Sequence, residues 1–593
     1  MQRDGYLVRL CLVLLILLVA FGLLAAHLYR LQIGRHDYLY AKARQKYTAS
    51  RVVFGHRGQI YDANANLLAG NLACRDVLAE PRNFRLPKDT MATLLGYSLG
   101  VPREVLARRF ASPRIEIPVQ RQVDITAAEK LRARNLKGLR FVDSYRRYYP
   151  KGPLCANLIG LLDADGMGVS GVEALLDPQL RPTTAKTTFE RDRKGRPLDN
   201  PAAAAEPRNG ADVYLTIDEP IQSIVEEELA LMVEKHRPRA AYAVMASPRT
   251  GAILAMAQYP SFDANHRDGL QPEQYQNRVL TEGFEPGSVM KAMSIAGALD
   301  FGVVRLDDTF DCEDGLWVYR GKTLRDSGHK YGVLSVWDIV QKSSNIGTAK
   351  IAVERMGENR LYQTLKRFGF GQPTGIGFAD EAPGIFRPYL RWDGLSLSRF
   401  PIGQGILVTP LQLVQAYCAL ANGGQMMQLH VIDRVVDPKT GIVEKTEPKV
   451  RRTACRPEAA RQMVQALKRV TLPEGTAPRA AIPGYEVAGK TGTAQKFKDG
   501  TYDNGLYVAS FVGFTPADNP AFVLLVVADE PTENGYYGGT IAAPVFGRIA
   551  AKTLRYLQVA PAATHPAVEQ ALMPVSAVEG EPHAAAQAIA RVR

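Results

Sequence analysis

The sequence predicts an α+β protein carried on a single N-terminal transmembrane helix, and three observations lead there. Leu10–Ala26 is an unbroken apolar run, extendable to Tyr29, at the short end of what spans a bilayer. Residues 30–205 alternate short strand, turn and helix signals without a catalytic constellation, which reads as an elongated mixed scaffold. Residues 206–560 run strand and helix first, helices in the middle and three strands near the end. That is the pattern of one antiparallel sheet covered by helices on both faces. Residues 1–9 are then a cytoplasmic tail. Residues 561–593, rich in Ala, Pro, Val and Glu without periodicity, read as a disordered tail.

The anchor shows no small-x-small cleavage site, because Ala25-Ala26 runs directly into His27-Leu28-Tyr29, so it is read as uncleaved. Arg3 and Arg9 precede it, whereas Arg30, Arg35, Lys42, Arg44 and Lys46 follow it. By charge alone the large domain would stay in the cytoplasm.

In the scaffold, Arg57–Ala69 reads as strand, turn, strand, with Asp62 to Asn66 supplying the turn. A helix is expected around Ala127 to Arg134, and Gly168–Glu173 begins a short one. Ala202–Gly210 is a linker or exposed loop. Asp212–Asp218 is the strand that opens the catalytic region, followed by an amphipathic helix over Glu219–Glu234 with Pro220 in its first turn. Ala241–Ala246 and Ala252–Met256 flank Ser247–Gly251 as a hairpin. Helical patterns cover Arg355–Phe368 and Gln412–Ala421, and Val431–Glu444 is a second hairpin. Strands are expected at Tyr485–Val487, Leu506–Gly513 and Ala521–Ala528, and a final helix over Ala543–Leu557.

Composition removes several function classes. An apolar fraction of 46% over 593 residues is ordinary for a folded chain of several domains. The formal charge of +13 favours anionic surroundings such as lipid head groups or an acidic polymer. The basic residues are scattered and not interleaved with aromatics, so no nucleic-acid partner is expected. Cys11, Cys74, Cys155, Cys312, Cys418 and Cys455 lack metal-ligand spacing, so neither a metal nor a cofactor is expected. Buried thiols and one or two disulfides both remain open.

The chemistry centres on Glu285-Pro-Gly-Ser288-Val-Met-Lys291, where a tight turn delivers a serine onto an apolar helix. A serine hydroxyl needs a base, and a neutral lysine one turn away can be that base if burial lowers its pKa. Ser327-Gly-His-Lys330 repeats the spacing in a polar loop, so the helical context selects Ser288. The helix-like segment from Val336 presents Ser343 and Asn345, a hydroxyl and a carboxamide that can relay a proton and hold an amide. Lys-Thr-Gly occurs twice. Lys439-Thr-Gly441 reads as a hairpin turn, whereas Lys490-Thr491-Gly492-Thr493 follows a strand and can line a cleft.

Ser-x-x-Lys, Ser-x-Asn and Lys-Thr-Gly in this order resemble the penicillin-binding proteins and serine β-lactamases. Leu215-Thr-Ile-Asp218, Gln341-Lys-Ser-Ser-Asn345, Gly403-Gln-Gly-Ile-Leu-Val-Thr-Pro410 and Tyr536-Tyr-Gly-Gly-Thr resemble the transpeptidase domain of the class B members. Arg57-Gly-x-Ile-x-Asp, Arg147-x-Tyr-Pro150 and Gly168-Val-Ser-Gly-Val-Glu173 are similar to that family's non-catalytic, dimerisation-type pedestal. The resemblance implies a pedestal over 30–205 and a transpeptidase domain over 206–560. It implies a peptidoglycan D,D-transpeptidase that cross-links stem peptides through an acyl-enzyme on Ser288 and releases D-Ala.

By the same resemblance, Lys291 is the base, Ser343 the proton relay, Asn345 the amide holder and Lys490 a source of positive potential. Thr491, Gly492 and Thr493 bind the terminal carboxylate, and the backbone N–H groups of Ser288 and Thr493 form the oxyanion hole. β-Lactams would acylate the same serine. Septal synthesis is the implied setting, with an elongation-type enzyme, or an anchored β-lactam sensor without turnover, as alternatives. A class A lactamase needs a Glu-x-x-x-Asn loop; Asn359 and Asn422 are preceded at that spacing by Arg355 and Cys418. Implied partners are the bilayer through Leu10–Tyr29, a polytopic glycan-polymerising glycosyltransferase and division-complex proteins. Cross-linking happens outside the bacterial cytoplasmic membrane, so the catalytic domain is expected on that side, against the charge count.

Overall fold

A computed structural model describes residues 2–190, 208–497, 501–502 and 505–561. The expected tail (562–593) and linker residues 202–207 lie outside the described residues. The described chain divides into two compact units.

The first unit comprises residues 1–58, 181–211 and 438–441. It contains the apolar helix Gln2–Tyr29, long and apolar enough to cross a membrane. A second helix, His36–Tyr47, leads into the strand Thr48–Phe54, which pairs antiparallel with Thr184–Glu190.

Among the described residues the second unit holds two large sheets and three two-stranded ones. One is antiparallel with five strands, built from β1 (Ala240–Ala246), β2 (Ile253–Tyr259), β3 (Ala488–Gln495), β4 (Tyr507–Thr515) and β5 (Phe522–Asp529). Their order is β3-β4-β5-β1-β2, which leaves β3 at an edge. β1 and β5 are continuous apolar runs buried along their whole length, which requires cover on both faces. The helices α1 (Glu219–His236) and α4 (Gly538–Tyr556) pack on each other and on the sheet. The almost wholly buried helices α2 (Lys291–Asp300) and α3 (Pro410–Ala421) lie in the same core. Thr409 caps α3 in a reciprocal pair with Gln412, and Pro410 fits its first turn.

The other sheet has seven strands and corrects one expectation. Asp212–Leu215, expected to open the catalytic sheet, pairs parallel with Ile60–Tyr61 and antiparallel with Ile432–Val436. The predicted hairpin there forms between Ile432–Val436 and Val443–Lys445. The long strand Leu67–Ala79 carries Ile117–Asp124 and Leu139–Tyr148, over a separate apolar cluster that includes Met91, Leu95, Leu106 and Phe110. Buried Asp62 closes the predicted turn by accepting from the N–H groups of Asn64 and Asn66. Its other oxygen accepts from Glu219 N at 3.0 Å, at the start of α1. Arg147 and Glu173, from two of the quoted motifs, form a buried ion pair at 2.6 Å.

Three further boundaries move. The strand expected at Tyr485–Val487 begins at Ala488 and carries the Lys-Thr-Gly residues themselves. The last helix starts at Gly538, and Pro544 lies inside it. The segment expected as one helix from Val336 breaks at Ser343 into Val336–Lys342 and Asn345–Lys350. The six cysteines stand as free thiols in the structure, five of them buried.

Candidate active site

Ser288 stands at a corner. The 3₁₀ turn Gly287–Met290 carries it, and α2 follows directly. Gly287 has φ +58°, and a Cβ there would stand 3.0 Å from Ala494 Cβ, so glycine lets the turn lie against β3. The turn is pinned from both sides. Gly287 N donates to Gly403 O at 3.2 Å, and the buried Tyr417 hydroxyl donates to Val289 O at 2.8 Å. Ser288 is half-buried.

Lys291 opens α2 and is 1% exposed. Its amine donates to Asn345 Oδ1 at 2.7 Å, to Ser343 Oγ at 3.1 Å and to Ser343 O. Burial pushes the amine down to about 7, with the Asp326 carboxylate pulling partly the other way. Among the described residues no hydrogen bond joins this amine to Ser288 Oγ. The two are neighbours along the turn, and the formed bonds run to the Ser-x-Asn segment.

That segment is held by a residue the sequence did not single out. Ser343 adopts φ 61° and ψ 40°, so the chain breaks between two helices at the serine. Ser344 caps the second helix by accepting from Gly347 N at 2.9 Å. Buried Asp326 accepts from Ser344 Oγ at 2.9 Å with one oxygen. With the other it accepts from Asn345 N and from Ile346 N at 3.1 Å. Asn345 Nδ2 donates to Arg325 O at 2.9 Å. Asp326 immediately precedes the exposed Ser327-Gly-His-Lys330 loop, and its only sequence signal was an acid beside that motif.

β3 closes the cleft. Lys490 is fully buried, and its amine makes only long contacts of 3.4 Å to Thr491 O and Oγ1. Burial holds its pKa low, and the like charge of Lys291 lowers it further, which places the two amines in one electrostatic environment. A Cβ on Gly492 would stand 2.2 Å from Ser510 Oγ and 3.1 Å from Pro286 O, so the strand approaches the nucleophile turn only as glycine. The Thr491 hydroxyl lies 2.8 Å from that of Thr476, and Thr493 Oγ1 accepts from Gly538 N at 3.0 Å. The turn carrying Ser288, the Lys291 amine, Ser343, Asn345 and the Lys490–Thr493 strand are thus neighbours. Lys439 lies exposed in its hairpin turn.

Residues 241–551 match the penicillin binding protein transpeptidase domain, and residues 53–215 match the penicillin-binding protein dimerisation domain. The chain is 33% identical over 558 residues to the probable peptidoglycan D,D-transpeptidase PenA of Neisseria gonorrhoeae, covering 93% of each. The chain belongs to the class B penicillin-binding proteins. This penicillin-binding protein is also 32% identical over 553 residues to the peptidoglycan D,D-transpeptidase FtsI of Escherichia coli, covering 92% of this chain and 91% of the relative. Stage V sporulation protein D of Bacillus subtilis is 33% identical over 562 residues, covering 93% and 86%. Among solved structures, penicillin binding protein 3 of Mycobacterium tuberculosis complexed with aztreonam has a TM-score of 0.68 at 28% identity. The match covers 86% of this chain and 98% of that one. The protein is a class B peptidoglycan D,D-transpeptidase of the serine acyltransferase type, and peptidoglycan and β-lactams are its ligand classes. Its apolar N-terminal helix is consistent with the single-pass anchor of this class.

Proposed function

We propose that Ser288 attacks the carbonyl of the penultimate D-Ala of a donor stem peptide. An O–C bond forms, the amide C–N bond breaks and terminal D-Ala leaves, and an amine of a neighbouring stem peptide then resolves the acyl-enzyme. One observation carries this reading. The Lys291 amine, on the turn after Ser288, is buried, held near pH 7 and bonded to Ser343 and Asn345. A neutral amine there accepts the hydroxyl proton. Ser343 passes it to the leaving amine and returns one from the attacking amine. Asn345 orients the donor amide, since its side chain keeps one lone pair and one N–H beyond its bonds to Lys291 and Arg325.

Lys490 supplies positive potential, and Thr491 and Thr493 hold the terminal carboxylate across Gly492. Thr493 Oγ1 already accepts from Gly538 N, which leaves its hydroxyl proton for a ligand. The backbone N–H groups of Ser288 and Thr493 form the oxyanion hole, each worth about 3 kcal/mol in the transition state.

The reading extends to septal wall synthesis during division, on the Gln341–Asn345 and Tyr536–Gly539 motifs and the pedestal spacing. It places a tail at 1–9, an anchor at 10–29, a pedestal over 30–205 and the transpeptidase domain over 206–560. The catalytic domain faces the periplasmic or extracytoplasmic side, where the polymer lies, against the charge count around the anchor. The anchor and pedestal would meet a polytopic glycosyltransferase and division-complex proteins.

Full-length wild type and Ser288→Ala are incubated with a fluorescent penicillin and run on a denaturing gel. A lasting adduct on wild type, absent from Ser288→Ala, is the expected result. Label that is rapidly lost with drug turnover, or a folded wild type that never labels, would sink the acyl-enzyme reading. A fluorescent fusion found along the lateral wall and not at the septum would remove the septal part.

A further inference from the structure

We infer that the cavity between the helices Lys88–Leu99 and Ile125–Ala133 is a non-catalytic binding site for the anionic glycan of the cell wall. It takes a sugar ring on Tyr97 and carboxylates on Lys130 and Arg134. The site lies on the lobe packed around Met91, Leu95, Leu106 and Phe110, a different apolar cluster from the one that holds α2 and α3. It needs neither Ser288 nor an acyl-enzyme.

Helical spacing builds the walls. Thr126, Lys130 and Arg134 recur at four-residue intervals, so they form one stripe along their helix, while Ala128 and Leu131 are buried beneath it. On the other helix Met91, Ala92 and Leu95 are buried, and Tyr97 and Ser98 line the cavity. The space between has a volume of about 450 Å³. Arg134 donates to Ser98 Oγ at 3.3 Å, which steadies the guanidinium across the gap. Asp124 adds a carboxylate at the rim. One of its oxygens caps the helix by accepting from Thr126 N at 2.8 Å, and the other can accept from a sugar hydroxyl.

The two cations there are unmatched. Glu129, the acid beside them in sequence, is taken by Arg75 and by Arg132 at 3.6 Å. Among the described residues neither Lys130 nor Arg134 is in an ion pair. Like charges four residues apart on a helix repel, so an anion held between them would relieve the helix. Tyr97 is 90% exposed, and among the described residues its ring stacks on no other. An amphipathic ring with converging polar groups beside it suits a sugar, whose C–H face lies on the ring while its hydroxyls and carboxylates meet the charges.

The charge around the cavity extends well beyond it, which selects a polymer over a small acid. Residues 71–150 carry sixteen Lys and Arg against eight Asp and Glu, so this lobe holds +8 of the chain's +13. Arg82, Arg85, Arg114 and Lys137 are exposed there, and none of them is ion-paired among the described residues. A field of that sign and extent attracts a polyanion. The wall polymer on which this class of enzyme acts offers both parts of the fit, sugar rings and peptide carboxylates repeated along one strand. Gripping it on the pedestal would keep the enzyme on its strand between turnovers.

The test sediments the full-length protein, in detergent, with insoluble wall glycan whose peptide stems end at the third residue, so that no D-Ala donor is present. Wild type should pellet with the glycan, and more completely at low salt than at high. Lys130→Glu with Arg134→Glu should raise the glycan concentration for half-maximal pelleting about ten-fold, and Tyr97→Ala about three-fold. All three side chains are exposed, so both variants should unfold at the wild-type temperature. Wild type left in the supernatant would overturn the inference, as would unchanged pelleting of the folded double variant. Polyglutamate that displaces wild type as well as soluble glycan does, with Tyr97→Ala bound like wild type, would make the ligand an acidic peptide and overturn the glycan assignment.

Discussion

Asn345 Oδ1 lies 2.7 Å from Lys291 Nζ, so a residue of the second motif holds the amine of the first. Ser343 Oγ, at 3.1 Å, shares that same nitrogen. One buried amine thus ties the turn carrying Ser288 to the junction of two helices more than fifty residues away, and its protonation state governs both.

The pH dependence of acylation follows from that amine. Burial pushes Lys291 down to about 7, and only the neutral form can accept the Ser288 proton. The second-order rate of penicillin acylation should climb through pH 7 and then level. A rate that is flat or falls between pH 5.5 and 8 would count against Lys291 as the base.

Asp326→Asn removes the charge that holds the Ser344–Ile346 corner. One amide oxygen remains, so the corner should loosen at a cost of about 1–3 kcal/mol. Asp326 also raises the pKa of Lys291, so its neutralisation should move the rising limb of the acylation profile to lower pH. A purely structural role would slow the reaction without moving that limb, and a pH series on the variant separates the two.

Ser343 contributes a hydroxyl and also carries a left-handed backbone, φ 61°. Ser343→Ala and Ser343→Gly both lose the hydroxyl, but glycine adopts that conformation without the Cβ penalty. Ser343→Gly should be more stable than Ser343→Ala by about 1 kcal/mol in thermal unfolding, with both strongly impaired in acylation. Equal stability would mean that the kink relaxes freely.

Glu173→Ala leaves the Arg147 guanidinium, whose side chain is 3% exposed, without its 2.6 Å partner. The expected loss is about 3–5 kcal/mol, whereas Arg147→Met with Glu173→Leu should lose far less. Denaturant unfolding of the three proteins measures the difference. A single variant no worse than the double would show that the pair is not coupled.

How far the sequence reached depends on the range of the interaction. Ser288, Lys291, Asn345 and Lys490 were legible because each stands in a short spacing with its own local structure. Asp326 was not, because its partners lie eighteen to twenty residues along and no spacing rule links an acid in a loop to a helix cap. The break at Ser343 falls where the apolar spacing of Val336, Ile339 and Val340 gives way to Ser343-Ser344-Asn345, and Ser344 caps the second helix there by accepting from Gly347 N. The strand Asp212–Leu215 was recognised, but its partner was not. Pairing with Ile60–Tyr61 spans about 150 residues, and β-periodicity names a strand without naming its neighbour.

The two buried lysines have a consequence beyond the nucleophile. Lys291 and Lys490 are both held low by burial, the charge of Lys291 acts on Lys490, and among the described residues no carboxylate is bonded to Lys490. A ligand carboxylate entering beside them favours their charged forms, so its arrival draws a proton from solvent. Calorimetry in buffers of different ionisation enthalpy would read that uptake directly. The affinity for carboxylate ligands then weakens as pH rises, while the chemical step needs a neutral amine. Proton-coupled recognition and proton-abstracting catalysis therefore pull in opposite directions, and the enzyme works in the interval between them.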